Sequence, residues 1–343
     1  MLQVLKDRIA ISMVSKGKKR LNILSEMELK HSNDSIKGFN DSSYFAGLSS
    51  DGISFVSRLA FRVDKPNENW LKIFIPGEGV WGFENKQLTE GDGFKQGSLE
   101  YKCIVPGKKW AINFDGVIEN GLTEENLKLK LIWESAYPII DFDTVGTTAR
   151  QVGKQIAAAK WDSSFFNKLK ELKQVHYEQS GKITGTVFWK NKNIEVDLKG
   201  VRDHSWGVRN WDDWDRHFWF LGMLDDGRFF NFSQISYSFV KSLKAGFICK
   251  NEQQKTVFGI PSFEEINFDS LFPKKIRFQI EEEKGLYVPL SINMKTFFPF
   301  KMDDVYYIRQ AASVFEYNGV KGIGIAEMGA NMKKYNIDIA STC

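Results

Sequence analysis

Cysteine is scarce in this chain of 343 residues. Cys103, Cys249 and Cys343 stand far apart and are odd in number, which excludes a disulfide framework and leaves no paired metal-binding motif. No run approaches the roughly 20 apolar residues that a membrane-spanning helix needs. The first residues lose their apolar character at Lys6, Asp7 and Arg8, so they do not fit a signal peptide. Basic tracts are missing too: the net charge of +4 is spread along the chain, which argues against a nucleic-acid partner. A nucleophile elbow, a P-loop and a spaced pair of zinc motifs are likewise lacking. The glycines between Gly322 and Gly329 have no surrounding βαβ unit and form no dinucleotide fingerprint, and Asp212, Asp213 and Asp215 lack the spaced glycine of a calcium loop. These absences point to a cytoplasmic protein without an integral membrane segment, a metal or a cofactor. The Asn-x-Ser sequons at Asn33, Asn40 and Asn231 would matter only in the secretory pathway and are read as chance.

What the chain has in plenty is aromatic side chains. Against 8 Pro it carries 28 Phe and 10 Trp, a balance that favours pleated sheet and large apolar interiors. Its length suggests two domains. Apolar or alternating runs bounded by Gly, Pro, Asn and Asp predict strands over 53–62, 70–75, 99–105, 110–114 and 127–133. Residues 147–174 have helical spacing and read as a connector. Strands resume at 185–190 and 194–198 around a turn at Asn191-Lys192-Asn193. They continue at 218–224 and 228–232 around Asp225-Asp226-Gly227, and at 245–249, 275–280, 291–298, 306–317 and 322–328. The expected class is all-β: two antiparallel barrels or barrel-like sandwiches, with helix confined to the connector and the amino terminus. The expected division is an N-terminal segment 1–38, a first domain 39–146, the connector 147–174 and a second domain 175–343.

The densest chemistry lies in Gly200-Val201-Arg202-Asp203-His204-Ser205-Trp206-Gly207-Val208-Arg209-Asn210-Trp211. On a strand, Arg202, His204 and Trp206 share one face while Val201, Asp203 and Ser205 share the other. Gly207 permits a bulge, after which Arg209 and Trp211 share a face. Two readings stay open. In the functional one, Asp203 projects into an apolar cavity, is kept protonated by desolvation and protonates an alkene or carbonyl. His204 could do the same near neutral pH, and Glu178, in His176-Tyr177-Glu178-Gln179, is a second carboxyl. Trp206, Trp211 and Trp214 offer π faces to a developing cation, and Arg202, Arg209, His217 and Glu327 line the ligand site. In the structural reading an Arg stacks on Trp and an Asp accepts its hydrogen bonds, closing a barrel corner; Glu178 is solvated, and Glu327 pairs with Arg309 or Arg202.

The motif Gly200–Trp211, with His176-Tyr177-Glu178-Gln179-Ser180-Gly181, Gly185 and Gly322-Ile323-Gly324-Ile325-Ala326-Glu327, resembles uncharacterised two-domain proteins grouped with the carotenoid 1,2-hydratase, AttH-like and lipocalin-like Diels–Alderase superfamily. Asn40-Asp41-Ser42-Ser43-Tyr44-Phe45, Asp51-Gly52 and Arg58 resemble the matching first domain, so the likeness covers most of the chain from about residue 39. The resemblance implies two lipocalin-like β-barrels with a pocket in a barrel or at their junction. It implies cofactor-free hydration, isomerisation or cyclisation of a hydrophobic small molecule such as a terpenoid, steroid, polyketide or fatty acyl chain. A non-catalytic lipid carrier or stress-related binding protein is the alternative from another class.

Overall fold

The computed structural model describes residues 2–18, 25–32, 35–50, 52–87, 93–251, 253–257, 259–266, 268–282 and 285–337; Asn33, Asp51 and Cys343 lie outside them. After helix α1 (Leu2–Gly17) come β1 (Phe39–Leu48), β2 (Ser54–Arg62), β3 (Asn67–Ile75), β4 (Gly79–Gln87), β5 (Phe94–Gln96), β6 (Leu99–Val105), β7 (Lys109–Glu119), β8 (Glu124–Ser135) and β9 (Ile140–Asp141). Two helices follow, α2 (Ala149–Ala158) and α3 (Phe165–Glu171), then β10 (Gln174–Trp189) and β11 (Lys192–Val208). The rest is β12 (Trp214–Leu224), β13 (Phe229–Tyr237), β14 (Leu243–Lys250), β15 (Gln253–Thr256), β16 (Lys275–Glu281), β17 (Tyr287–Met302), β18 (Tyr306–Tyr317) and β19 (Val320–Asn331). The chain is all-β, and its regular α-helices are α1 and the connector pair α2 and α3. Strands β1, β4, β5, β9 and β15 escaped the sequence reading: polar or glycine residues interrupt the apolar pattern of β1, β4, β5 and β15, and β9 is very short.

The first sheet is antiparallel in the order β4-β3-β2-β1-β11-β10-β8-β7-β6-β5, and a further pairing of Gly82 with Glu119 joins β4 to β7. That pairing closes eight strands into a ring, as a small barrel requires, and covers the edge of β4, while β5 remains an edge strand. Its interior is filled by alternate residues: Phe45, Leu59, Leu71, Trp81, Trp110, Phe114, Leu131, Trp133 and Ile183 belong to one apolar core. Each such side chain contributes roughly 1.5–3 kcal/mol by leaving water. The second sheet is antiparallel in the order β15-β14-β13-β12-β19-β18-β17-β16, around a separate core that includes Phe218, Phe220, Phe230, Phe232, Phe315 and Tyr317.

The two compact units do not follow the division expected at residue 175. One comprises Leu21–Ile140 and Leu172–Arg209; the other comprises Met1–Arg20, Asp141–Glu171 and Asn210–Cys343. The reason is pairing: β11 lies antiparallel to β1 and β10 lies antiparallel to β8, so this hairpin completes the first ring although it follows the helices. Alternation marks a strand but does not say which sheet it joins. The hairpin turn is also shorter and earlier than the expected Asn191-Lys192-Asn193. It is Lys190-Asn191, both at positive φ, with Trp189 opposite Lys192, and two residues at positive φ match the twist of a tight hairpin. No bulge forms at Gly207: its register with Asn40 and Gln174 continues unbroken.

Cys103 and Cys249 are free thiols. Asn40 and Asn231 are buried within strands, so neither presents a glycosylation acceptor on the folded surface. Among the described residues no helix is long and apolar enough to cross a membrane.

Candidate functional site

Strand alternation divides the dense motif between two faces of the first sheet. Arg202 and His204 point into the ring. Arg202 Nη1 donates to Glu28 Oε1 at 3.1 Å and to Gln179 Oε1 at 3.1 Å, while Nη2 donates to Glu28 Oε2 and to the Tyr177 hydroxyl at 3.0 Å. Its guanidinium lies 4.6 Å from the centre of the Trp110 ring. His204 meets Asp41 Oδ1 through Nε2 at 2.7 Å and the Tyr177 hydroxyl through Nδ1 at 2.8 Å. His31 stacks on Trp206 at 4.0 Å, and burial lowers the pKa of its imidazole. The acid that takes Arg202 is therefore Glu28, not Asp203. A residue from before the first strand reaches it, a long-range partner that no local spacing announces.

On the opposite face Asp203 meets His176. The β10–β11 register sets Glu178 directly across from Asp203, and His176 lies two residues before Glu178 on the same face. His176 Nε2 is hydrogen-bonded to Asp203 Oδ2 and lies 3.5 Å from Glu178 Oε1. The imidazole is 29 % exposed and the Asp203 side chain 15 %, whereas the Glu178 side chain is fully buried. Burial by itself would lower the pKa of His176. The charge of Asp203, the hydrogen bond to it and the charge of Glu178 outweigh burial and raise it, with Arg209 opposing them. Arg209 Nη2 is held by Gln174 Oε1 at 2.9 Å and Ser205 Oγ at 3.0 Å. Asp203 thus faces an imidazole rather than an apolar wall.

Among the described residues this is the grouping of three donor side chains suited to a cation, their ligand-type atoms all lying within 4.8 Å of one another. His176 Nε2 is engaged there with the carboxylate of Asp203. The signal that could have found it is His-x-Glu on one strand with an Asp across the hairpin, which becomes legible once the turn is placed.

The remaining candidates belong to the other unit. Trp211 begins a short 3₁₀ turn, Trp211–Asp213, after β11 has ended, and packs 4.7 Å from Trp214 and 5.3 Å from Tyr306. His217 Nδ1 meets the Tyr306 hydroxyl at 2.7 Å and Nε2 meets Glu327 Oε1 at 2.6 Å; Gln310 Nε2 donates to the other Glu327 oxygen. The partner of Glu327 is therefore His217, while Arg309 donates instead to the carbonyls of Phe272 and Pro273. Burial pushes the Tyr306 hydroxyl well above its ordinary pKa, and Glu327 adds to this. The structure brings Asp203 and Glu178 together with His176, sets His204 and Arg202 on the other face of the same strand, and groups Trp211, Trp214, His217 and Glu327 separately.

The fold is shared with known structures. A candidate AttH protein of Nitrosomonas europaea superposes with a TM-score of 0.61 at 11% identity, covering 91% of this chain and 97% of that one. A protein named CghA superposes with a TM-score of 0.50 at 10% identity, covering 86% of this chain and 88% of that one. At these identities the likeness is one of fold. No curated protein matches the sequence. Residues 25–332 match the family model described as "Domain of unknown function (DUF7064)", and the chain belongs to that family.

Proposed function

We propose that this protein binds a hydrophobic small molecule and moves a proton on it without redox change, with His176, Asp203 and Glu178 as the acid–base group. One observation carries the reading: an imidazole at a part-exposed position shares its Nε2 with two carboxylates, one of them fully buried. The raised pKa favours the imidazolium, the form that can act as a general acid. A substrate carbonyl or alkene that displaces the Asp203 hydrogen bond receives the Nε2 proton. Asp203 and Glu178 then hold the neutral ring until it recovers a proton from water or from a substrate carbon. Hydration, isomerisation and cyclisation all contain such a step, and the AttH-like fold is compatible with each. Arg209, anchored by Gln174 and Ser205, supplies a cation for a polar end of the ligand.

The test is a panel of terpenoid, steroid, polyketide and fatty acyl compounds, followed by tryptophan quenching for binding and by mass spectrometry for conversion. On a converted compound, Asp203→Asn and His176→Gln should each lower turnover by roughly 100-fold or more with affinity little changed. Wild-type turnover in either variant would refute the assignment. Saturable binding without conversion of any compound by the wild type would leave the carrier reading in its place.

A further inference from the structure

The charge of this protein is not spread evenly once the chain is folded. Helices α1, α2 and α3 hold seven Lys or Arg residues against two Asp or Glu. The whole chain carries only +4, so the rest of it is close to neutral. On α2 no acid accompanies Arg150 and Lys154, and both are exposed.

Helix α1 is apolar on two sides. One side is docked on α2 and the residues just after it: Ala10 is buried, Gln3 Nε2 donates to the Ala157 carbonyl at 3.3 Å, and Lys6 Nζ donates to the Ala159 carbonyl at 2.6 Å. A Cβ on Gly153 would come within 2.7 Å of the Ile11 backbone, so only glycine allows this approach. The other side displays Leu2, Leu5, Ile9 and Met13, between 40% and 74% exposed. Their spacing of three, four and four residues places them in one stripe, with Lys16 at its end and Arg8 beside it, both exposed. An exposed apolar stripe next to cations can rest in the headgroup boundary of an anionic membrane, where buried apolar area and charge attraction add.

We propose that the exposed face of α1, supported by the cations of α2 and α3, docks this protein on the surface of an anionic bilayer. The apolar stripe enters the headgroup boundary, and Arg8, Lys16, Arg150 and Lys154 supply attraction to acidic lipid headgroups. The inference rests on the helices alone and stands whether or not the acid–base reading is correct.

The experiment is co-sedimentation of the full chain with vesicles of phosphatidylcholine, with and without phosphatidylserine, at low and high salt. Binding is expected to phosphatidylserine vesicles and to weaken as salt rises. The double variant Leu5→Glu/Ile9→Glu should bind about 10-fold or more weakly while keeping its circular dichroism and melting temperature, since both side chains are exposed on the folded protein. Arg150→Gln/Lys154→Gln retains the stripe and should lose much of the phosphatidylserine dependence. The proposal is overturned if the wild type does not bind, or if Leu5→Glu/Ile9→Glu binds as the wild type does. Light scattering that shows a stable dimer dissociated by Leu5→Glu/Ile9→Glu, with no vesicle binding by the wild type, would assign the stripe to a second copy of the chain instead.

Discussion

Removing the carboxylate of Glu28 is expected to destabilise the first unit more than any single change in the candidate acid–base group. Arg202 and Glu28 are each about 1 % exposed in their side chains and meet through both terminal guanidinium nitrogens, Nη1 and Nη2. In Glu28→Ala the charge of Arg202 stays buried with two neutral acceptors, Gln179 and Tyr177, and the ring of Trp110. Leaving one member of a buried pair alone costs about 3–5 kcal/mol. For a unit of this size that lowers the melting temperature by roughly 6–20 °C. The assay is urea and thermal unfolding followed by tryptophan emission, because Trp110 and Trp133 lie against the guanidinium and report on this unit. Arg202→Met combined with Glu28→Leu removes both charges and should recover most of the loss, since a buried pair replaced by apolar side chains is often neutral in stability. A loss below about 1 kcal/mol in Glu28→Ala, or no recovery in the double variant, would refute the view that this pair locks the ring.

The His176 imidazole has a folded pKa above its usual 6.5. Its ion group therefore contributes fully below 6.5 and loses that contribution as pH rises through the folded value; the fall should flatten in His176→Gln, and an NMR titration should show the His176 pKa dropping in Asp203→Asn. In the second unit, a Cβ on Gly329 would stand 2.4 Å from His217 Cε1 and 2.6 Å from Tyr306 Cε1, so Gly329→Ala should break the His217–Tyr306 contact and shift the emission of Trp211 and Trp214. Asn191 holds φ at +63° in the hairpin turn, and Asn191→Val should cost about 1–2 kcal/mol in urea unfolding because a β-branched residue resists that conformation.

The fold was largely legible in the sequence because most of its strands obey simple alternation. In β7 and β8 Trp110, Ile112, Phe114, Leu129, Leu131 and Trp133 are buried on one face between more exposed residues on the other, and both strands were read from that pattern. The site was legible only by half. Alternation placed Arg202 and His204 opposite Asp203, as found, but the partners depend on pairing. Because Trp189 faces Lys192, every later pair in the hairpin follows, and Glu178 falls across from Asp203. Reading the turn at Asn191-Lys192-Asn193 instead displaces each of these pairs, and a slip of one residue puts a side chain on the wrong face. Glu28 and Asp41 were out of reach for a different reason. They meet Arg202 and His204 across 174 and 163 residues of chain, through ring closure that no local pattern records.

The two faces of β11 explain why so many polar groups crowd into so few residues. Residues 202 and 204 are tied inward to Glu28, Asp41 and Tyr177, which fixes the strand between β1 and β10. A strand held in this way cannot slide, so residues 203 and 205 on its other face are held at defined positions opposite Glu178 and His176. Positioning to a fraction of an ångström is what proton transfer demands, and it is better supplied by a locked strand than by a loop. Substitutions should divide by parity: those at 202 and 204 act first on stability and only through it on chemistry, whereas those at 203 act on the protonation of His176 with the ring intact. His204→Gln and Asp203→Asn, adjacent in sequence and each conservative in size, should therefore differ in kind. The first should lower the unfolding midpoint with the His176 titration preserved, and the second should move the His176 titration with the interior pairing of Arg202 preserved.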